Sequence, residues 1–564
     1  MALLSGAAGI LASPARDGAV RGALAAPLLI AALAATAGGI AATVAALSPG
    51  CLPGALADLG RNFFGLSGHE AAAPLRAALV HATSLFAFLA VRRAAARSGA
   101  AAVLRVSLAG GALVAAYAVL EAVFSLKLWP PAFYEAASGL KRVVSTLSDY
   151  NSAGAYFALL LFPAAAGAAA ARGGKRLLGL SLTALLFVGL LLSGSRTAWI
   201  AAAAAGALLL GVSAVRLRRR DPSRLRRLFV GAAAAVLAAA AVVSLFPGPT
   251  GTVLRRRVAT LMEPAAALEA LASGRIGFWR AGGAMLAAHP LAGVGPGRVP
   301  ARFDEYRPEG FPVEAENVHN WPLQCLDENG LVGGLLLLFP FAALIPVLLR
   351  EGRRAAADDG PVPALAFGLG AFLFCGLTSH PWLLPEMQFV FWGHVALLDD
   401  SRTVSADAPR APLRFITLAA AALLVLWSVP RLVLAPGRER SRYGYGSWSP
   451  SEGVNAVRWL GPEALVHAVR PAGGGPYRVR LKAPPGAAPQ VGVSARVDGG
   501  PWSGTTLVPG VWTNLVVMPP FAPESSKAAL EIRARFAFCP ATGAGDDRRI
   551  LSVQAASPLL YPSR

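Results

Sequence analysis

Long apolar stretches separated by short, arginine-rich polar ones set the pattern of most of this chain. A helix needs about 20 apolar residues to cross the hydrocarbon core of a bilayer. On that rule about eleven stretches qualify: 24–47, 74–91, 101–125, 151–171, 177–194, 197–215, 228–246, 330–349, 361–380, 382–398 and 414–436. Several are rich in alanine and glycine, which suits close helix–helix packing. Beyond Pro436 the period changes. Tyr477-Arg478-Val479-Arg480-Leu481, 491–497, 512–517, 529–536 and 550–553 alternate apolar with polar residues, and Gly and Pro clusters divide them. That alternation predicts an antiparallel β-sandwich of about 120 residues. The expected fold is therefore an α-helical polytopic membrane protein over 1–436 with a C-terminal all-β sandwich over 437–564.

Composition agrees with the bilayer as solvent. Of the 564 residues 55% are hydrophobic and 15% charged, so a water-soluble fold would expose large apolar patches. The net charge is +21, and much of the excess lies in short loops: 92–97, 172–176, 216–227, 350–354 and 402–414. Basic loops between spans mark the cytoplasmic side, so the charge reads as orientation and not as nucleic-acid binding. The N-terminus is then cytoplasmic, with Arg16, Asp17 and Arg21 preceding an uncleaved first span. The loops 48–73, 126–150 and 247–329, and everything past residue 437, fall on the opposite side. Loop 247–329 is too long for a connector and has helix-like stretches at 258–272 and 276–288, so it reads as functional. The four cysteines (Cys51, Cys325, Cys375, Cys539) have neither metal-ligand nor disulfide spacing.

Three polar positions stand out on that non-cytoplasmic side. Arg196 follows Ser193-Gly194-Ser195 at the end of one apolar run, and Arg275 follows Ser273-Gly274 inside the long loop. His319 lies between Asn317-Val318 and Asn320, just before another span. An arginine at a span end also arises by snorkelling to the interface, and a lone histidine is more often structural than catalytic. Yet a planar guanidinium suits bidentate phosphate contacts, and an imidazole with a pKa near 6.5 suits general-base work at neutral pH. Arg280 is a possible partner or substitute for Arg275, Glu316 a group to polarise the imidazole, and His289 a weaker competitor of His319. The cluster Arg255–Arg257 would attract a diphosphate or lipid headgroups. The glycine-rich stretch His289-Pro290-Leu291-Ala292-Gly293-Val294-Gly295-Pro296-Gly297 lacks the context of a dinucleotide loop and reads as a tight turn that leaves room for a glycolipid. No Asp-x-Asp pair stands out in these loops, and neither a metal nor a cofactor is expected.

Taken in order, Asp149-Tyr150-Asn151-Ser152-Ala153, Ser193-Gly194-Ser195-Arg196-Thr197-Ala198, Arg275 with Trp279, His289 to Gly295, and His319-Asn320-Trp321-Pro322-Leu323-Gln324 with Glu328-Asn329-Gly330 resemble the O-antigen ligase and O-antigen polymerase superfamily of bacterial membrane glycosyltransferases. The resemblance is best over 145–345 and extends plausibly over 20–436. It implies a GT-C-like membrane fold in the bacterial inner membrane and a polyprenyl-diphosphate-linked glycan donor at the periplasmic face. It further implies metal-independent transfer, with inversion, to the hydroxyl of a lipid, glycan or protein acceptor. Arg196 and Arg275 would then hold the diphosphate, and His319 would activate the acceptor hydroxyl or help stabilise the leaving group; read from the residues themselves, Arg280, Glu316, Asn320 and His289 are candidates to bind substrate. The C-terminal domain is a departure, since the core family does not require it. Gly446-Ser447-Trp448, Glu452-Gly453 and Arg458-Trp459, with Phe538-Cys539-Pro540 and 546–549, resemble a β-sandwich appended to various bacterial membrane glycosyltransferases. Two other classes remain in competition: a glycolipid or polysaccharide flippase, and a glycan-binding membrane scaffold. A flippase needs ionisable residues along mid-span, and here Arg105, Glu121 and His394 are among the few.

Overall fold

The computed structural model describes residues 27–35, 73–124, 126, 143–147, 149–218, 221–246, 248–262, 275–308, 317–355 and 360–399, and in the C-terminal part 445–451, 454–460, 463–469, 476–484, 490–519, 527–535, 553–557 and 561–562. In chain order the helices are α1 (Ala73–Ser98), α2 (Ala100–Phe124), α3 (Tyr150–Ala170), α4 (Gly173–Leu192), α5 (Arg196–Leu217), α6 (Pro222–Leu245), α7 (Gly248–Met262), α8 (Arg275–Ala288), α9 (Val299–Tyr306), α10 (Trp321–Ala355), α11 (Pro361–Gly376) and α12 (Pro385–Asp399), and a short helical stretch covers 27–35. Among the described residues seven helices, α1 to α6 and α10, are long and apolar enough to cross a membrane, and α11 is apolar but shorter. The candidate span 414–436 and most of 24–47 lie outside the described residues.

Burial separates the helices that form the core from those that face the solvent of the bundle. α3 is the central one, with an unbroken buried run from Asn151 to Leu160. α6 is the opposite case: it is apolar, yet no residue of 225–245 is buried. An apolar helix without a buried face is stable only where its surroundings are themselves apolar, which makes a bilayer its solvent.

Two sequence boundaries move for local reasons. The reading 361–380 as one span is corrected: α11 ends at Gly376, and 377–380 form a turn that enters a short 3-10 segment, Pro381–Leu383. Proline at 381 disfavours helical backbone at the residue before it, so His380 adopts φ −131°. The second is α10, which is two helices in sequence. Gly330 has φ +67° and ψ −177°, a conformation closed to residues with a Cβ, and it sits against the Leu291 carbonyl. Trp321–Asn329 is therefore a separate helix before the span proper.

The C-terminal strands are β1 (Tyr445–Ser451), β2 (Val454–Leu460), β3 (Glu463–Val469), β4 (Tyr477–Lys482), β5 (Val491–Val497), β6 (Ser503–Leu507), β7 (Trp512–Val517), β8 (Lys527–Ala534), β9 (Val553–Ser557) and β10 (Tyr561–Pro562). They form two antiparallel sheets: β1-β2-β9-β4-β10, with β7 also paired to β4, and β3-β8-β5-β6. Strict alternation in β4 and β5 places Tyr477, Val479 and Leu481 from one sheet and Val491, Val493, Ala495 and Val497 from the other in one shared apolar core.

Candidate functional site

The turn before Arg196 is built from its own side chains. Ser195 begins α5 as its N-cap, accepting from the Ala198 N–H, and donates to Asn151 Oδ1 of α3 at 3.0 Å. Ser193 Oγ donates to Leu190 O at 2.7 Å, and Thr378 Oγ1, from the turn after α11, donates to Thr197 Oγ1 at 3.0 Å. Gly154 of α3 permits the close approach, because a Cβ there would come within 2.8 Å of Ala198 and 2.9 Å of Ser195. Arg196 thus opens α5 on a turn tied to two other elements.

Arg275 is likewise the first residue of its helix, α8. One turn on, Phe278 is buried in a small core with Met285, Val294, Val299, Phe303 and Val318. The Phe278 ring lies edge-on to the His319 ring, with centroids 4.8 Å apart. His319 has φ +51°, a left-handed backbone that costs a residue with a side chain about 1–3 kcal/mol. Its flanking asparagines hold it there: Asn317 Oδ1 accepts from the His319 N–H at 2.9 Å, and Asn320 Oδ1 caps the following helix by accepting from the Leu323 N–H at 3.0 Å. Asn320 therefore has a capping role in this structure.

The three predicted residues converge. Burial, the His380 ring and the Arg275 guanidinium together push the His319 imidazole down to about 3, so it is neutral near pH 7. Burial also disfavours the charge of Arg275; Tyr150 and Cys375 support it and Arg196 opposes it. Tyr150, Arg196 and Arg275 each open a helix, and His319 lies two residues before another, ahead of its cap Asn320. All four are at one end of the bundle, where helix N-termini add positive potential. Two guanidiniums that repel one another beside a neutral imidazole are chemically suited to hold an anion and to accept a proton.

The other expected residues have their own surroundings. Arg280 is exposed on α8. His289 Nε2 is 2.8 Å from the Tyr306 hydroxyl, a contact within the packing of α8 on α9. Glu316 lies outside the described residues. Arg255 Nη1 donates to Phe246 O at 3.2 Å, across the corner between α6 and α7. The glycine-rich stretch wraps the end of the Trp321–Asn329 helix: Val294 N–H donates to Asp327 O at 2.7 Å and Gly295 N–H to Glu328 O at 3.0 Å. Gly297 N–H donates to the Glu328 carboxylate at 2.8 Å, and Glu328 accepts in turn from Gln324, whose carbonyl holds the Val318 N–H. Those N–H groups are committed to the helix end, and through Gln324 the loop supports the residue beside His319.

Two residues of the site escaped the sequence reading. Tyr150 belongs to a quoted motif but carried no role. His380 was absorbed into an apolar run, although the following proline signalled a break.

A polytopic helical membrane protein with two arginines and a histidine near one end of its bundle is what the fold shows. Residues 181–338 match the family model described as O-antigen ligase, in line with the superfamily that the ordered motifs resemble. The match includes Arg196, Arg275 and His319 and stops short of His380. No curated protein matches the chain significantly.

Proposed function

We propose that the chain is a membrane glycosyltransferase that transfers or polymerises a polyprenyl-diphosphate-linked glycan onto an acceptor hydroxyl at the periplasmic face of the inner membrane. The observation that carries this reading is the convergence of Arg196, Arg275 and His319, from three separate parts of the chain, at one end of the bundle. The donor's diphosphate lies between the two guanidiniums, which neutralise the charge that grows as the glycosyl–oxygen bond breaks. No metal is needed for that task, because two fixed cations already perform it. The acceptor hydroxyl lies against His319, which takes its proton as the new bond forms at the anomeric carbon, on the face opposite the departing diphosphate, so the product is inverted. The bound diphosphate raises the basicity of His319 as the reaction requires, because it places negative charge beside a group otherwise kept neutral.

The test is the lipid-linked glycan pool of a deletion strain complemented with wild type, Arg275→Ala or His319→Ala. The expected result is that both variants, expressed at wild-type level, accumulate lipid-linked glycan and lose the transferred product. Normal product from both variants removes the proposal. Accumulated single units indicate a polymerase, and accumulated long lipid-linked chains a ligase.

A further inference from the structure

His380 stands in the turn between α11 and the 3-10 segment, and its ring meets that of His319 edge-on, with centroids 5.2 Å apart and planes at 60°. The turn is rigidly held. Thr378 bonds Thr197 at 3.0 Å, and the Leu383 N–H donates to His380 O at 3.0 Å. Gln388 Nε2 donates to Trp382 O at 2.9 Å, and the rings of Phe341, Phe372 and Phe391 pack around Trp382 with centroids 5.0 to 5.2 Å away. A side chain on such a support is positioned, not floppy.

His380 is 5% exposed, and its Nδ1 has no hydrogen-bond partner among the described residues. The neighbouring Ser379 Oγ, 1% exposed at the residue, is in the same condition. Buried polar atoms without partners are uncommon and costly, and two adjacent ones beside a reactive imidazole point to a ligand that supplies the missing oxygen. Resting on the reading of the site given above, we propose that His380 is a second catalytic imidazole, which donates a hydrogen bond from Nδ1 to the acceptor hydroxyl oxygen while His319 removes that hydroxyl's proton. A hydroxyl can give its proton to one imidazole and accept from the N–H of another, and two rings in edge contact can reach one oxygen. As the step proceeds the acceptor O–H bond breaks and its proton moves to His319. The acceptor oxygen bonds the anomeric carbon, and the glycosyl–phosphate bond breaks with its electron pair on the diphosphate. His380 keeps its own proton throughout and stabilises the negative charge that develops on the acceptor oxygen.

The experiment uses the full chain in proteoliposomes. The donor is lipid-linked glycan extracted from the deletion strain, and the acceptor is the glycolipid fraction of that strain. A donor aimed at developing charge acts on kcat more than on KM, so His380→Ala is expected to lower kcat about 100-fold with donor KM little changed. His380→Asn, which restores an N–H at similar reach, is expected to recover about tenfold of that loss. Wild-type kcat in His380→Ala overturns the proposal, as does a His380→Asn variant no better than His380→Ala. Should His380→Ala fail to accumulate, His380→Asn decides: activity within about tenfold of wild type supports the role, and a deeper loss overturns it. Arg275→Ala is run in parallel. Loss there with full activity in His380→Ala sinks only the role of His380, whereas full activity in Arg275→Ala sinks the underlying reading of the site.

Discussion

Arg196 and Arg275 each occupy the first position of a helix, and their like charges bear on one another across the site. Bringing two cations together in a partly buried place lowers stability, a cost that Tyr150 and Cys375 offset in part. On the proposed reading, a bound anion offsets that repulsion.

From this follows a trade between stability and activity. Arg275→Gln is expected to leave the melting temperature of the substrate-free protein unchanged or raised, while transfer falls about 100-fold or more. Arg275→Lys keeps the charge but loses the planar fork, and should recover only part of the rate. Thermal unfolding in detergent beside a transfer assay checks both; a large drop in melting temperature for Arg275→Gln counts against the repulsion.

The acidity of His319 predicts a pH effect on stability. In the folded chain the imidazole is pushed down to about 3, mainly by burial, whereas unfolded histidine titrates near 6.5. Below about pH 6.5 the unfolded state binds a proton that the folded state refuses, so stability falls as pH falls, by up to about 1.4 kcal/mol per pH unit until the folded group titrates. Above pH 7 both states are neutral and the effect vanishes. Relative to wild type, His319→Gln should therefore gain stability at pH 5 compared with pH 8; the difference between their melting curves at the two pH values measures it.

The left-handed backbone of His319 depends on Asn317, whose Oδ1 accepts from the His319 N–H. Asn317→Ala should lower kcat about tenfold, since a misplaced base loses rate steeply with distance, at a stability cost of about 1 kcal/mol. Asn317→Asp retains an acceptor and should restore most of the rate. Steady-state kinetics on the two variants tests the point, and equal rates in Asn317→Ala and wild type would refute it.

Gly330 separates the Trp321–Asn329 helix from the span that follows, in a conformation reserved for glycine and with the Leu291 carbonyl against it. Gly330→Ala is expected to destabilise the protein by several kcal/mol, about 1–3 from backbone strain and more from the clash. Membrane yield and melting temperature report it; wild-type values for both would show that the loop yields freely.

How much of this was legible in the chain depends on the range of the interaction. The long helices were readable because a span is a local requirement: enough apolar residues in a row satisfy both the bilayer and the helix. The strands β4 and β5 were readable because their alternation is written residue by residue. His380 was not, because a window that averages hydropathy over 361–380 hides one imidazole among apolar neighbours, and only the bend before Pro381 releases it. The use of the glycine-rich stretch also went unread: glycines announce a sharp turn, but not that its N–H groups close the end of the Trp321–Asn329 helix.

The sequence by itself determined the kinds of element, the polar residues available for chemistry, and the succession of motifs that resembles a known superfamily, since each of these lives within a few neighbouring residues. Tertiary structure alone decided that the starts of α3, α5 and α8, His319 ahead of α10 and the turn after α11 meet at one end of the bundle, that β9 lies between β2 and β4, and that His319 faces a second imidazole. Those relations follow from helices packing across long stretches of chain, where the contact between two residues depends on every turn in between.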